Sequence, residues 1–311
     1  MSVHPLIRHD WLEVGDGHQL FLAQYGDPQG IPVLYLHGGP GEGCSGDEIS
    51  LFIDSGFHIY MLDQRAAGRS RSSGVLASND LLSLLQDIEK VRNWAEVERW
   101  CLLGGSFGAS LGYLYSCIYP GRVVSQVYWS MFIPSVAGAQ WLYGLKGAAK
   151  QFPLKYLEFN PEGIEDLSLL FQHFTEGFHH PSSDVRDEFI RRWLAWELAL
   201  AVPSIDSQTL NIDNARSLAR LELHYAKHDY FGAYSLLQRV GADLMSPTVI
   251  LQGEFDWVCP QTLVDEFLQQ FGPERLTSRR VRDGEHTFAN EAMCNAIAEA
   301  VQQMARYVKS L

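Results

Sequence analysis

Apolar positions fall along this chain in two rhythms. "HQLFLAQYG", "PVLYLHGGPGEG" and "FHIYMLDQRAAGRS" are short apolar runs closed by glycines or polar residues, the signature of strands. "DLLSLLQDIEKVRNWAEV" spaces its apolar residues by three and four, which predicts a helix. "WCLLGG" then reads as a strand, "SFGASLGYLYSCIY" as a helix stopped at Pro120-Gly121, and "VVSQVYWSMF" as a further strand. Strand and helix alternate, so the pattern predicts an α/β fold, a mainly parallel sheet with helices on both faces.

The texture changes at Ile133. Through Asp243 the chain is helical and aromatic, as in "WLYGLKGAAKQF" and "VRDEFIRRWLAWELAL". Strand signals return in "SPTVILQGEFD" and "RRVRDGEH", separated by a helix, and "EAMCNAIAEAVQQMARYVKSL" predicts a terminal helix. The expected organisation is an α/β core of residues 1–132 and 244–311, interrupted by a helical insertion over 133–243.

Composition narrows the function classes. With 24 basic and 37 acidic residues among 311, the formal charge is −13. That repels phosphate backbones and anionic lipid, so neither nucleic acid nor membrane is an expected partner. The uncharged window between Arg99 and Arg122 has spanning length, but its glycines and serines fit a buried strand, turn and helix better. Five cysteines with no C-x-x-C pair, and a start with no signal-peptide pattern, lead to the expectation of reduced thiols and a cytoplasmic location. Oligomeric state is not legible.

Chemistry in such sheets collects at the carboxyl ends of strands. His37-Gly38-Gly39-Pro40-Gly41, Ser106, Asp256 and His286 all follow apolar runs at those points. Gly104, Ser106 and Gly108 fit G-x-S-x-G, a weak pattern alone, since a glycine-rich bend in a core satisfies it equally well. Asp256 alone suits a turn or cap, and His286 alone suits a surface loop. Together they stand in the order nucleophile, acid, base that this architecture requires, and so predict a catalytic Ser106-Asp256-His286 set. Serine needs such a base, because its hydroxyl is a poor nucleophile unaided. An oxyanion hole is then required, and the backbone N–H groups of Phe107 and Gly39 are the expected donors. No metal or other cofactor is expected.

These residues resemble the α/β-hydrolase fold and, more closely, the proline iminopeptidases, serine peptidases that remove an N-terminal proline. The resemblance is carried by "LHGGPGEG", "SGFHIYMLDQRAAGRSR", "DIEKVRNW", "LLGGSFGASLGYLY", "GEFDWVCP" and "GEHTF", and it runs along nearly the whole chain. It implies that Ser106, Asp256 and His286 are nucleophile, acid and base, and that the insertion caps the site. A W-x-x-W-E segment, here Trp193, Trp196 and Glu197, and "ARLELHY", with Glu222, match family segments in the cap. The resemblance implies that Glu197 and Glu222 bind the free amino group of a small peptide, that Phe132 and Trp196 line the ring pocket, and that Cys259 lies near the site. Read without it, both glutamates would be solvated helix residues and the tryptophans core. The chain departs from the family at Ala66, Phe107, Glu254 and Glu285, and the two acids are expected close to the catalytic set. An α/β-hydrolase acting on an ester, lactone or non-peptide amide is the alternative.

Overall fold

The structure is a computed structural model that describes residues 4–52, 56–72, 75–203, 212–272 and 275–311. Its strands are β1 (Leu6–Gly15), β2 (His18–Gly26), β3 (Ile31–Leu36), β4 (Phe57–Asp63), β5 (Trp100–Gly105), β6 (Val123–Trp129), β7 (Thr248–Gly253) and β8 (Leu276–Val281). They form one sheet in the order β1-β2-β4-β3-β5-β6-β7-β8. β2 pairs antiparallel with both β1 and β4, and every later pairing is parallel. β1 gave no apolar signal in the sequence. It is a mostly exposed edge strand, and only its second half alternates, turning Leu12 and Val14 toward the core.

Period-two alternation in the inner strands feeds two cores. Leu34, Leu36, Leu62, Leu102 and Tyr128 face one side, where α1 (Leu81–Trp94), α2 (Phe107–Ile118) and α9 (Gln261–Phe271) cover them. Val33, Tyr35, Met61, Leu103 and Val127 face the other, beneath α10 (Glu291–Lys309). Side-chain caps start two of these helices: Asp80 accepts from the Ser83 N–H at 2.8 Å, and Asn290 from that of Met293 at 2.9 Å.

Between β6 and β7 the described chain is largely helical: α3 (Val136–Tyr143), α4 (Pro153–Phe159), α5 (Leu167–Phe178), α6 (Ser183–Ala201), α7 (Ile212–Lys227) and α8 (Ala233–Val240). Their aromatic side chains, Tyr143, Phe159, Phe174, Trp193 and Trp196 among them, are buried in the same apolar cluster as Leu36 and Phe107. No helix of the described residues is long and apolar enough to cross a membrane.

The sheet order decides where a ligand can enter. From β3 the chain goes to β4 on one side, then returns to β5 on the other. A reversal of this kind opens a crevice at the carboxyl edge. β3, β5, β6, β7 and β8 run parallel, so the segments that follow them emerge along that one edge.

Candidate active site

Ser106 stands alone between the end of β5 and the start of α2, with φ 54° and ψ −124°. A non-glycine residue held there costs about 1–3 kcal/mol, supplied by the packing around it. The Ser106 N–H donates to the Trp129 carbonyl at 3.1 Å, and the Phe132 N–H donates to the Ser106 carbonyl at 3.3 Å. The turn is thus tied to the end of β6. Small neighbours make it possible. A Cβ on Gly108 would overlap the Leu36 and His37 carbonyl oxygens, and one on Gly104 would come within 3.0 Å of Gly108. Phe107 opens α2, where an N–H has no acceptor within the helix.

Asp256 follows β7 and His286 follows β8. The His286 Nδ1–H donates to Asp256 Oδ1 at 2.9 Å. The Val258 and Cys259 N–H groups donate to the same oxygen at 3.1 and 2.8 Å, and Gln252 donates to Oδ2 at 2.9 Å. With Nδ1 engaged, Nε2 is the ring nitrogen left for proton transfer. Burial works to lower the His286 pKa, but the Asp256 charge and hydrogen bond, helped by Glu42 and Glu197, raise it overall. Among the described residues no hydrogen bond joins Ser106 to His286. The serine hydroxyl instead contacts the Cys259 thiol. Ligand atoms of Asp256, Cys259 and His286 lie within 4.8 Å of one another, and Ser106 and His286 line the same cavity. The trio has metal-ligand types, and its carboxylate already accepts from His286 Nδ1 and the Cys259 N–H. Burial also raises the Cys259 pKa well above its ordinary value, which keeps the thiol protonated.

The loop after β3 packs over the serine. Buried His37 accepts from the Gln64 N–H at Nε2, 3.0 Å, and donates from Nδ1 to the Gly38 carbonyl, 2.8 Å. The Glu42 N–H donates to that carbonyl as well, at 3.4 Å. Gly39 has φ 98°, which glycine alone adopts without strain. With the Gly38 carbonyl held from two sides, the N–H of the same planar peptide, that of Gly39, is turned the opposite way. The Gly38 N–H faces the Glu42 carboxylate. α7 closes over the loop, since a Cβ on Gly39 would come within 3.2 Å of Leu218.

Ser106, His286, Gly39, Phe132, Glu197 and Glu222 all line one cavity of about 430 Å³. Glu197 projects from α6 and accepts from the Tyr143 hydroxyl at 2.7 Å. Glu222 projects from α7 and accepts from Trp193 Nε1 at 2.8 Å. Neither has an ion-pair partner among the described residues. Burial raises both carboxyl pKa values, and for Glu222 the charge of Glu197 raises it further. Phe132 lies 4.9 Å from Tyr230, ring centre to ring centre. Trp196 is a correction to the sequence reading. It lies outside the cavity lining, packed against Tyr156 and Phe159, with Nε1 donating to the Leu142 carbonyl at 2.8 Å. The helix turns the two tryptophans of its motif to different tasks: Trp193 supports Glu222, and Trp196 fills the helical layer.

The model of the α/β-hydrolase fold matches residues 31–291. Over 303 residues, 94% of this chain and 92% of the relative, the sequence is 31% identical to a probable proline iminopeptidase of Leptolyngbya boryana. The chain belongs to the proline iminopeptidase family. It is a serine hydrolase. The proline iminopeptidase of Neisseria gonorrhoeae is 29% identical over 297 residues, covering 94% of this chain and 95% of that one. A crystal structure of the proline iminopeptidase of Mycobacterium smegmatis superposes with a TM-score of 0.62 at 16% identity, covering 97% of this chain and all of that one, a likeness of fold.

Against proline iminopeptidases, two departures change meaning in three dimensions. Glu254 pairs with Arg280 at 2.9 Å, and neither Glu254 nor Glu285 lines the cavity. Both acids thus stand away from the cavity wall. Their place is taken by residues the sequence did not single out. Glu42 and Tyr35 line the cavity on the β3 side. Tyr230 reaches it from a turn in which Asp229, Tyr230 and Phe231 all hold φ between 46° and 54°. Glu42 carried one legible signal, an acid inside a glycine-rich loop. Tyr230 carried none, for its left-handed turn sits in a segment that reads as helix.

Proposed function

We propose that this serine hydrolase is an aminopeptidase that releases an N-terminal residue, preferentially proline, from small peptides. The observation that carries the reading is the carboxylate pair Glu197 and Glu222, without an ion-pair partner among the described residues and facing the same cavity as Ser106 and His286. The protonated secondary amine of an N-terminal proline has two N–H donors, one for each carboxylate. Charge-assisted bonds of this kind contribute about 1.5–3 kcal/mol each. A blocked amine offers no charge, and an internal residue offers no free end, so one residue is removed at a time. Phe132 and Tyr230 supply an apolar wall against which a pyrrolidine ring packs.

In the proposed mechanism the Ser106 hydroxyl turns from Cys259 to His286 Nε2 as substrate binds. Hydrogen bonds of ligand-free sites are often long and tighten in the complex. His286 takes the proton while Oγ adds to the carbonyl carbon. The N–H groups of Gly39 and Phe107 hold the resulting oxyanion, each worth roughly 3 kcal/mol. The C–N bond breaks as His286 passes its proton to the leaving amine. Water, deprotonated by the same imidazole, then hydrolyses the acyl-enzyme. Asp256 keeps the ring in the required tautomer.

The test is a panel of aminoacyl-β-naphthylamides, free and N-acetylated, with a fluorophosphonate probe. Prolyl-β-naphthylamide is expected to lead the panel, acetylation to abolish turnover, and the probe to label Ser106 and fail on Ser106→Ala. Turnover of acetylated substrates or simple esters at equal rates would overturn the peptidase reading.

A further inference from the structure

Glu42 and Tyr35 are not used by the mechanism above, yet both line the cavity beside the nucleophile. A Cβ built on Gly38 would stand 3.0 Å from Glu42 Oε2 and 3.2 Å from Ser106 Cβ, so this carboxylate lies next to the serine. Glu42 is exposed to the water of the cavity although it sits deep in the molecule. It has no ion-pair partner among the described residues. Tyr35 is 3% exposed and lines the same wall, and its hydroxyl has no hydrogen-bond partner among the described residues. A buried polar group left so in a cavity is completed by a ligand or water. Trp129, stacked 6.2 Å from Tyr35, and Phe288, edge-on to Trp129, form the apolar floor of this region.

The helical layer holds Glu197 and Glu222 above the cavity, and Glu42 stands on the β3 side. His286 must reach the leaving nitrogen, so whatever follows the scissile bond lies near the imidazole. Glu42 lines the same cavity as His286 and stands next to Ser106.

We propose that the region between Glu42 and Tyr35 is a second subsite, which receives the residue after the scissile bond and selects a cationic side chain on it. The Glu42 carboxylate meets the ammonium or guanidinium, the Tyr35 hydroxyl accepts one of its N–H groups, and the aliphatic stem lies along Trp129 and Phe288. This subsite rests on the aminopeptidase reading and adds a preference to it.

The experiment measures free proline released from Pro-Arg, Pro-Lys, Pro-Ala and Pro-Glu by the full chain and by its Glu42→Gln and Glu42→Lys variants, with prolyl-β-naphthylamide in parallel. The wild type is expected to favour Pro-Arg over Pro-Glu in kcat/KM by about tenfold or more, consistent with one charge-assisted contact. Glu42→Gln collapses the ratio toward one, and Glu42→Lys inverts it. Proline release without charge preference, or a preference that survives Glu42→Gln, overturns the subsite alone. An equal shift of the pH profile for all four dipeptides, with their ratio intact, also overturns it, because Glu42 would then act on His286 rather than on substrate. Release from none of the five substrates overturns the aminopeptidase reading and the subsite with it.

Discussion

At the scale of single residues, the candidate site is a set of charges arranged around one imidazole. His286 is the proposed base and must be neutral to accept a proton. Burial opposes its charged form, but Asp256, then Glu42 and Glu197, raise its pKa overall. Activity is therefore lost as pH falls through a value above about 6.5, the ordinary histidine pKa. Protonation of the Glu197–Glu222 pair, whose pKa values burial raises, acts in the same direction because neutral acids do not hold an ammonium. A pH profile of kcat/KM for prolyl-β-naphthylamide is expected to show this acid limb. A limb centred well below 6.5 would contradict it. Glu222→Gln is expected to raise KM about tenfold or more, with a smaller effect on kcat, since the contact is made in both ground and transition states.

At the scale of elements, the serine turn is held by contact between α2 and the end of β3. Gly108 is where they meet: its missing side chain leaves room for the Leu36 and His37 carbonyls. Those carbonyls belong to backbone and cannot swing aside. Gly108→Ala is expected to push α2 outward, costing about 1–3 kcal/mol of stability by urea titration. Displacing Ser106 by as much as 1 Å costs on the order of a hundredfold in rate, so kcat/KM is expected to drop at least tenfold. A variant as active and stable as the wild type would show that the packing at this crossing is slack. The spacing of Gly104, Ser106 and Gly108 was plain in the sequence. The reason for each glycine was not, because Leu36 meets Gly108 only after β3 and β5 pair, Leu36 opposite Gly104.

At the scale of the whole molecule, the helices between β6 and β7 share one apolar cluster with the face of the sheet they adjoin. Trp193 and Phe107 are buried within it, and no solvent layer separates helical insertion from core there. We expect the two to unfold together. Tryptophan reporters at Trp100 in β5 and Trp193 in α6, followed with far-ultraviolet circular dichroism in urea, are expected to give coincident midpoints. A separate, earlier transition at Trp193 would show that the insertion is an independent unit. The site depends on this joining, since Glu197 and Glu222 come from the helices and Ser106, His286 and Glu42 from the sheet.

The sequence alone determined the alternation of strand and helix, the helical stretch after Ile133, and the strand-end placement of Ser106, Asp256 and His286. Those features are written in local periodicity and in residue order, which a linear reading resolves. Tertiary structure alone decided which acids face the nucleophile. Glu42 and Glu222 line the cavity while Glu254 turns to Arg280, and Trp196 points into the helical layer although Trp193, three residues earlier, supports the carboxylate pair. A helical period tells which side chains share a stripe. It does not tell which neighbour that stripe meets, because burial and charge compensation are set by residues brought together from distant parts of the chain.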